Sequence, residues 1–403
     1  PLASIWAGEK YNPSDKFPPN SPPLMQVITY GATPFRLNLH VGDIGHTVIF
    51  GPTGAGKSVL LANILLAFQK YQNSKIFAFD KGMSLFAPSI ATGGTHYDIA
   101  GEGSKLAFAP LSNIKTPSQI AWAENWIETC LKLQNVEITP KYKKTIHEAM
   151  LSHINTNSKS LTEFISNLQD QTLRDALNHY AISGPAGFLL DAEKDNLNLA
   201  NITVFEIENL MNLGEENIIP TLLYIFYRIE QNLDGNPTIL IIDEAWIALG
   251  HPVFKNKIVE WLKVLRKANC AVIMATQSLS DSAKSGILDV LQESCPTKIF
   301  LPNNEAFNKG SENTLGPYDF YKIFGLNDVQ ISIISDAIPK REYYFVSPLG
   351  TRLFNLGLGR VNLSLSAISD KNSIRKIKNL FNKFGNDWVY EWFKEENIDI
   401  SNL

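Results

Sequence analysis

The residues with the clearest chemical potential form one run near the start of the sequence. Gly51–Ser58 reads Gly-Pro-Thr-Gly-Ala-Gly-Lys-Ser and fills every fixed position of the pattern G-x-x-x-x-G-K-[ST]. In such a loop, backbone N–H groups converge on phosphate oxygens because glycine permits unusual dihedral angles and close approach. Lys57 would add a cation for the outer phosphates, and the Ser58 hydroxyl would ligate Mg²⁺. The residues predicted to bind nucleotide are Thr53, Gly54, Ala55, Gly56, Lys57, Ser58 and Val59.

A second constellation lies almost two hundred residues later, where four branched or aliphatic residues run into Asp243 and Glu244. A carboxylate at the tip of a buried strand needs a cation or a water network. Asp243 would hold Mg²⁺ through water, and Glu244 would orient or deprotonate an attacking water. Gln277 follows a later apolar strand, Ala271–Ala275, and would sense the terminal phosphate or position water. Together with Lys57, these residues predict hydrolysis of a nucleoside triphosphate.

The elements that must position these residues can be read from the flanking sequence. Thr47–Phe50 is a short apolar run suited to a buried strand, and Val59–Phe68 carries apolar residues at helical spacing. A helix that begins at the glycine loop also presents its positive end to an anion. A strand over Ala271–Ala275 is typical of NTPases in which an additional strand lies between the phosphate loop and the acidic strand.

Two further residues keep open alternatives. Asp80 ends the apolar run Lys75–Phe79, where it could contact nucleotide, metal or a moving element, or simply form an Asx turn. Arg266 lies near the far end of the helix predicted over Pro252–Asn269, too far from its own nucleotide for a role in cis. It is either a finger that reaches a neighbouring subunit's site or a solvated cation favoured by the helix dipole.

The distribution of patterns predicts an α/β P-loop NTPase fold with a mainly parallel central sheet and an inserted all-helical subdomain. We expect residues 1–34, which are rich in proline, to form a linker or arm. The ATPase domain would comprise residues 35–113 and 200–360. Residues 114–199 show helical patterns only, with a capping box over Thr116–Gln119, and would form the insertion, whose core would include Trp122 and Trp126. Arg341–Val346 and Arg352–Leu358 would form a hairpin. Residues 361–403 would form a helical tail that packs on the core or on a partner.

Composition narrows the classes of function. The 403 residues include 36 basic and 40 acidic side chains, a balance that gives no global case for nucleic-acid binding, although a local basic groove would be compatible with it. No apolar run is long enough to cross a bilayer. The three cysteines are single and widely spaced, which indicates neither a disulfide framework nor a zinc site and favours a reducing compartment. The seven histidines show no metal-ligand spacing either. The sequence starts at Pro1 rather than methionine, so we expect a fragment or a processed form.

Several of these segments, taken in order, resemble one family. The segments are G-H-T-V-I-F-G-P-T-G-A-G-K-S from Gly45, F-A-F-D-K-G from Phe77, I-I-D-E-A-W from Ile241, H-P-V-F from His251, E-W-L-K-V-L-R-K-A-N from Glu260 and A-T-Q-S from Ala275. They are similar to the TrbE-like inner-membrane-associated ATPases of type IV secretion and conjugal transfer. The resemblance extends over about residues 35–305 and indicates the carboxyl-terminal ATPase portion, without the family's amino-terminal domain.

The resemblance implies a RecA-like domain with an inserted all-helical subdomain. It also implies ATP and Mg²⁺ as cofactors, assembly into hexamers or lower oligomers, and docking with other secretion components. The protein would be cytoplasmic and peripheral to the inner membrane, through partners or a missing amino-terminal part. By position, Lys57 and Ser58 would be the phosphate and Mg²⁺ residues, Asp243 and Glu244 the acidic pair, and Gln277 the polar sensor. Related DNA-pumping ATPases have an arginine acting in trans where Arg266 stands.

The function that these observations favour is an ATPase that powers assembly of, or transport through, a type IV secretion apparatus. One alternative is a hexameric DNA-translocating pump of the coupling-protein or FtsK/HerA kind, which would use the same site. Another is a nucleotide-gated scaffold with negligible turnover, although such a scaffold needs neither Glu244 nor Gln277. A small-molecule P-loop kinase fits the paired acids less well, because these suit attack by water.

Overall fold

The chain divides into two structural units. The computed structural model describes residues 6–244, 251–277, 286, 288–311 and 314–399. The first unit comprises Pro1–His96, Ala200–Glu206 and Leu233–Leu403, and the second comprises Tyr97–Leu199 and Ile207–Asn232.

Eleven strands within the described residues form one mixed sheet. They are β1 (Met25–Thr29), β2 (Pro34–Leu37), β3 (Thr47–Phe50), β4 (Lys75–Asp80), β5 (Thr95–Asp98), β6 (Ile202–Glu206), β7 (Thr238–Ile242), β8 (Cys270–Thr276), β9 (Thr297–Phe300), β10 (Glu342–Ser347) and β11 (Gly350–Asn355). Their order across the sheet is β2-β1-β11-β10-β9-β3-β8-β7-β4-β6-β5. Pairing is parallel from β9 through β6 and antiparallel from β2 through to β9.

The central strands are apolar on both faces because they are covered on both faces. Every residue of β3, β7 and β8 is buried, which accounts for their continuous aliphatic sequences rather than an alternating pattern. Strand β8 pairs with β3 on one side and with β7 on the other. The sequence prediction of a strand between the glycine loop and the acidic pair is therefore confirmed.

Helices surround these strands. In the described residues they are α1 (Lys57–Phe68), α2 (Phe86–Ala91), α3 (Pro117–Leu133), α4 (Pro140–Asn155), α5 (Leu161–Asn167), α6 (Gln171–Leu177), α7 (Gly187–Leu190), α8 (Glu215–Asn232), α9 (Pro252–Val264), α10 (Leu288–Ser294), α11 (Pro317–Ile323), α12 (Asp328–Asp336), α13 (Arg360–Ser366), α14 (Lys371–Phe384) and α15 (Trp388–Glu395). Short 3₁₀ turns follow several of them, including Leu265–Ala268 directly after α9. The helix predicted over Pro252–Asn269 thus ends earlier, at Val264.

The segment interpreted as a linker or arm contains a strand of the sheet. Strand β1 pairs antiparallel with both β2 and β11, and it buries Val27 and Thr29. The preceding proline-rich segment packs through Phe17, whose ring meets Tyr71 edge-on with centroids 4.8 Å apart. A five-residue strand carries too short an alternation to be distinguished from a linker by pattern alone.

The second unit is helical apart from the end of β5. Helix α3 begins with the predicted capping box, in which the Thr116 side chain accepts from the Gln119 N–H. Trp126 is buried and donates its indole N–H to the Pro220 carbonyl at 2.9 Å. Trp122 stacks on Tyr227 with centroids 3.9 Å apart. Both tryptophans therefore pack within this unit, as predicted.

The tail folds back on the first unit. Helices α13, α14 and α15 form a hydrophobic cluster with α2, in which Trp388 and Trp392 are buried beside Phe86 and Ile90. The Trp392 indole donates to the Ser364 carbonyl at 2.9 Å. Of the two interpretations of the tail, packing on the core is the one observed.

Candidate functional site

The glycine loop connects β3 to α1 at the carboxyl end of the central strands. Gly54 and Gly56 have φ angles of +79° and +110°, conformations that a side chain disfavours. Gly56 is the residue that precedes the first turn of α1, so Lys57, Ser58 and Val59 form that turn. Thr53 and Gly54 are exposed, whereas Ala55 and Lys57 are buried. The loop therefore has the left-handed glycines and the adjoining helix start that a phosphate site requires.

A later segment of the chain donates hydrogen bonds to two carbonyls of the glycine loop. The Lys340 N–H donates to the Ala55 carbonyl at 2.8 Å, and the Tyr343 hydroxyl donates to the Gly56 carbonyl at 3.2 Å. A Cβ atom on Gly56 would lie 2.8 Å from the Tyr343 hydroxyl oxygen and 3.0 Å from the Lys340 Cα. The sequence predicts the hairpin that contains Tyr343 but not its contact with the loop. No local pattern encodes a contact across almost three hundred residues.

The acidic pair lies directly against the lysine of the loop. The Lys57 Nζ atom is 2.7 Å from Asp243 Oδ1, and it also donates to Glu244 Oε1. The side chains of Lys57, Asp243 and Glu244 are 10%, 4% and 5% exposed. This arrangement brings together the two constellations that the sequence separates, because β3 and β7 end at the same edge of the sheet with only β8 between them.

Gln277 completes the group. Its Nε2 atom donates to Glu244 Oε1 at 2.6 Å, and its Oε1 atom accepts a hydrogen bond from the Thr53 hydroxyl. Glu244 therefore lies between a cation and an amide donor. Its backbone has a φ of +54°, a left-handed conformation that costs a non-glycine residue about 1 kcal/mol or more. The turn after β7 thus stores strain at the residue predicted to act on water.

Burial dominates the electrostatics of this edge. Desolvation raises the pKa of Asp243, and the neighbouring Lys57 ammonium opposes that rise. Asp80, on the adjacent strand β4, has a pKa raised to about 8 by burial and then by the charges of Glu206 and Asp243. Its carboxylate accepts from the Ser84 hydroxyl and the Leu85 N–H, each at 2.7 Å. These bonds reach residues four and five positions further along the chain, so they are not the Asx turn that the sequence suggested. Glu206 and Asp243 are acidic neighbours of Asp80.

Arg266 is not brought to this site. It lies in the 3₁₀ turn before β8, whereas Gln277 follows the opposite end of that strand. The seven residues of β8 span roughly 20 Å. The Arg266 side chain is exposed, and its backbone carbonyl accepts from the Lys16 ammonium. The expectation that Arg266 has no role in cis agrees with this position.

Comparison with known proteins identifies relatives of the chain. The model of the TraG P-loop domain matches residues 134–316. A probable conjugal transfer protein TrbE of Sinorhizobium fredii is 52% identical over 98% of this chain and 59% of that protein. The conjugal transfer protein TrbE of Rhizobium radiobacter is 50% identical over 99% of this chain and 48% of that protein. Over almost its whole length, the chain is therefore similar to TrbE conjugal transfer proteins.

The comparison of structures agrees on the fold. The structure of VirB4 of Thermoanaerobacter pseudethanolicus superposes with a TM-score of 0.66 over 84% of this chain and 97% of that chain, at 16% sequence identity. The fold is thus an α/β P-loop NTPase fold, as predicted. The chain spans about half the length of the two TrbE relatives, 59% and 48%. Among the residues that the structure describes, no helix is both long and apolar enough to cross a bilayer.

Proposed function

We propose that this chain is an ATPase that drives assembly of, or transport through, a type IV secretion or conjugation apparatus. The observation that carries the proposal is the contact of Lys57 with Asp243 and Glu244, which places a phosphate loop beside two carboxylates. Relatives named as conjugal transfer proteins supply the biological setting. ATP with Mg²⁺ is the proposed substrate, and oligomers up to a hexamer are the proposed working form.

The proposed chemistry follows from competition for Lys57. A bound triphosphate offers its outer oxygens to the ammonium that now contacts the two carboxylates. With Lys57 turned to the phosphate, Asp243 and Ser58 would be the residues that hold Mg²⁺, Asp243 through water and Ser58 directly, and the ion would neutralise charge on the phosphates. Glu244 then accepts a hydrogen bond from the attacking water, while Gln277 keeps its carboxylate oriented. Binding of nucleotide would thus unmask the base that hydrolyses it.

The partners and location are proposed on the same basis. We infer that the chain works at the cytoplasmic side of the inner membrane through contacts with other secretion components. The near balance of 36 basic and 40 acidic residues favours this role over a pump that grips DNA directly. DNA binding that persists at physiological salt, with a steep salt dependence, would favour the pump instead.

The test is phosphate release by an oligomeric preparation of the wild type and a Glu244→Gln variant. Glutamine keeps the size of the side chain but removes the base, so we expect ATP binding to persist and turnover to fall by about 10²-fold or more. Gln69→Glu, which adds a carboxylate at the end of α1 away from the loop, is a control that should keep wild-type turnover. Unchanged turnover in Glu244→Gln would exclude Glu244 as the base. ATP binding without turnover in the wild type would favour the scaffold.

A further inference from the structure

Three side chains that could bind a metal ion meet at neighbouring strand ends of the first unit. Asp80 is the last residue of β4, Glu206 is the last residue of β6, and the two are direct partners in the parallel register. His96 lies in β5, which is next to β6. One ligand atom from each side chain lies within 4.8 Å of the ligand atoms of the other two.

The cluster is enclosed by protein rather than by solvent. Asp80 is 0% exposed and Glu206 is 1% exposed. The Nε2 atom of His96 exposes less than 1 Å² and has no hydrogen-bond partner among the described residues. The Phe86 ring meets the His96 ring edge-on, with centroids 5.0 Å apart, which limits rotation of the imidazole. A buried imidazole nitrogen without a partner is costly, and so are two like charges side by side.

Donors of the turn after β4 orient both carboxylates. Asp80 accepts from the Ser84 hydroxyl and the Leu85 N–H, while Glu206 accepts from the Gly82 N–H at 3.2 Å and the Met83 N–H at 2.5 Å. Each Asp80 oxygen accepts one of these bonds and has a second lone pair. Donors of this kind orient metal-binding carboxylates in known sites, because they fix the direction of the lone pairs. The 80–85 turn therefore holds both acids in place for a common ligand.

We propose that Asp80, His96 and Glu206 bind one divalent transition-metal ion, with Zn²⁺ as the best probe. One imidazole nitrogen and two carboxylates form a ligand set suited to zinc or another first-row divalent ion, with a remaining position for water. Ligand bonds of about 2.0–2.2 Å place ligand atoms roughly 3.5 Å apart. Because the three atoms already lie within 4.8 Å of one another, an ion would need to draw them together by little more than about 1 Å. The ion would neutralise both carboxylates and give the imidazole nitrogen a partner.

This site differs from the proposed nucleotide site in ligand chemistry. Mg²⁺ bound with a triphosphate takes oxygen ligands and keeps several waters, whereas the Asp80 cluster includes a nitrogen ligand. It lies one strand away, because β4 pairs with β7, which leads to Asp243. A metal here would fasten the ends of β4, β5 and β6 and stiffen the turn before α2. The inference stands whether or not the chain hydrolyses ATP.

The test is zinc uptake by the full chain after removal of metals with a chelator. We expect about one equivalent of Zn²⁺ to remain after dialysis of the wild type, measured by elemental analysis, and His96→Gln to lower the affinity by about 10-fold or more. His46→Gln is the matched control. Like His96, His46 has a buried Nε2 atom without a hydrogen-bond partner among the described residues, but it belongs to no cluster of potential metal ligands within that part of the chain. It should retain the zinc.

Two further measurements keep the outcome decisive. Ser58→Ala, which alters the proposed Mg²⁺ ligand, should also retain zinc. If Ser58→Ala loses zinc while His96→Gln retains it, the zinc binds at the proposed nucleotide site and the proposal is wrong. If His96→Gln does not fold, the wild type alone decides by its melting temperature, which zinc should raise in proportion to ln(1 + [Zn²⁺]/Kd). No zinc uptake and no such rise would mean that the acids share a proton instead.

Discussion

At the scale of single residues, the group formed by Lys57, Asp243 and Glu244 is held together by charge in a nearly dry environment. A buried ion pair contributes little when it is compared with an apolar replacement, but the loss of one partner is costly because it strands the other charge. Lys57 is the counterion of two carboxylates, so its removal leaves Asp243 and Glu244 side by side without that ammonium. The lysine is therefore a structural counterion as well as a proposed phosphate ligand.

This dual role predicts a stability defect in the absence of nucleotide. Lys57→Ala should lower the free energy of unfolding by about 3 kcal/mol at neutral pH, measured by urea denaturation. Lys75→Ala is the control, because its partner Asp234 is 49% exposed and the pair is screened by water. It should cost no more than about 1 kcal/mol. Equal effects of the two substitutions would show that the Lys57 cluster is not strongly coupled.

Residue types and spacing predicted which residues form the candidate site, but they did not predict all of the contacts between those side chains. The glycine loop and the strand that ends in Asp243 are local patterns, and parallel strands place their carboxyl ends at one edge, so their meeting could be expected. The binding of both carboxylates by Lys57 depends on side-chain rotation and was not predicted. The cluster of Asp80, His96 and Glu206 was also missed, because these residues lie far apart in sequence and only β-sheet register brings them together.

At the scale of secondary-structure elements, the glycine loop depends on β10 and the residues just before it. Lys340 and Tyr343 bond to consecutive carbonyls of the loop, at Ala55 and Gly56. These bonds fix the loop from the side opposite to the proposed phosphate. The antiparallel part of the sheet thus contributes to a site that its sequence gives no sign of serving.

Two glycines of the loop provide a matched pair for testing this support. Both have positive φ angles, so alanine is strained at either, by roughly 1 kcal/mol. A Cβ atom on Gly56 would also collide with Tyr343 and Lys340, whereas a Cβ atom on Gly54 meets nothing within 4 Å. Gly56→Ala should therefore lower the free energy of unfolding by about 2 kcal/mol more than Gly54→Ala, measured by urea denaturation. Similar losses would mean that β10 yields to the loop without cost.

The predicted bounds of helices and strands agree with the structure where caps and hairpin turns define them locally. They differ where hydrogen bonding to a distant strand decides whether a segment is a strand. The capping box at Thr116 and the hairpin of β10 with β11 were both expected. Strand β1 was not, because it becomes a strand only through its bonds to β2 and β11. Helix α9 is followed by the 3₁₀ turn Leu265–Ala268. Asn269 ends that turn in a left-handed conformation, with a φ of +56°, and β8 begins at the next residue.

At the scale of the whole molecule, the exposed position of Arg266 bears on assembly. The residue lies at the amino end of β8, while the nucleotide site is at the carboxyl end. An arginine that stabilises phosphoryl transfer must lie close to the transferring phosphate. Arg266 could meet that requirement only at the site of a second copy of the chain, so any role of Arg266 in phosphoryl transfer would require an oligomer.

Subunit mixing tests that dependence directly. Arg266→Ala chains keep a complete phosphate loop, and Lys57→Ala chains keep the arginine, so each supplies what the other lacks. Where Arg266 acts in trans, a mixture of two nearly inactive variants should regain a measurable part of wild-type phosphate release. Lys263→Ala, which removes another exposed cation from the end of α9, should remain active by itself. A mixture that co-assembles, as mass measurement would show, yet stays inactive would leave Arg266 as a solvated cation favoured by the helix end.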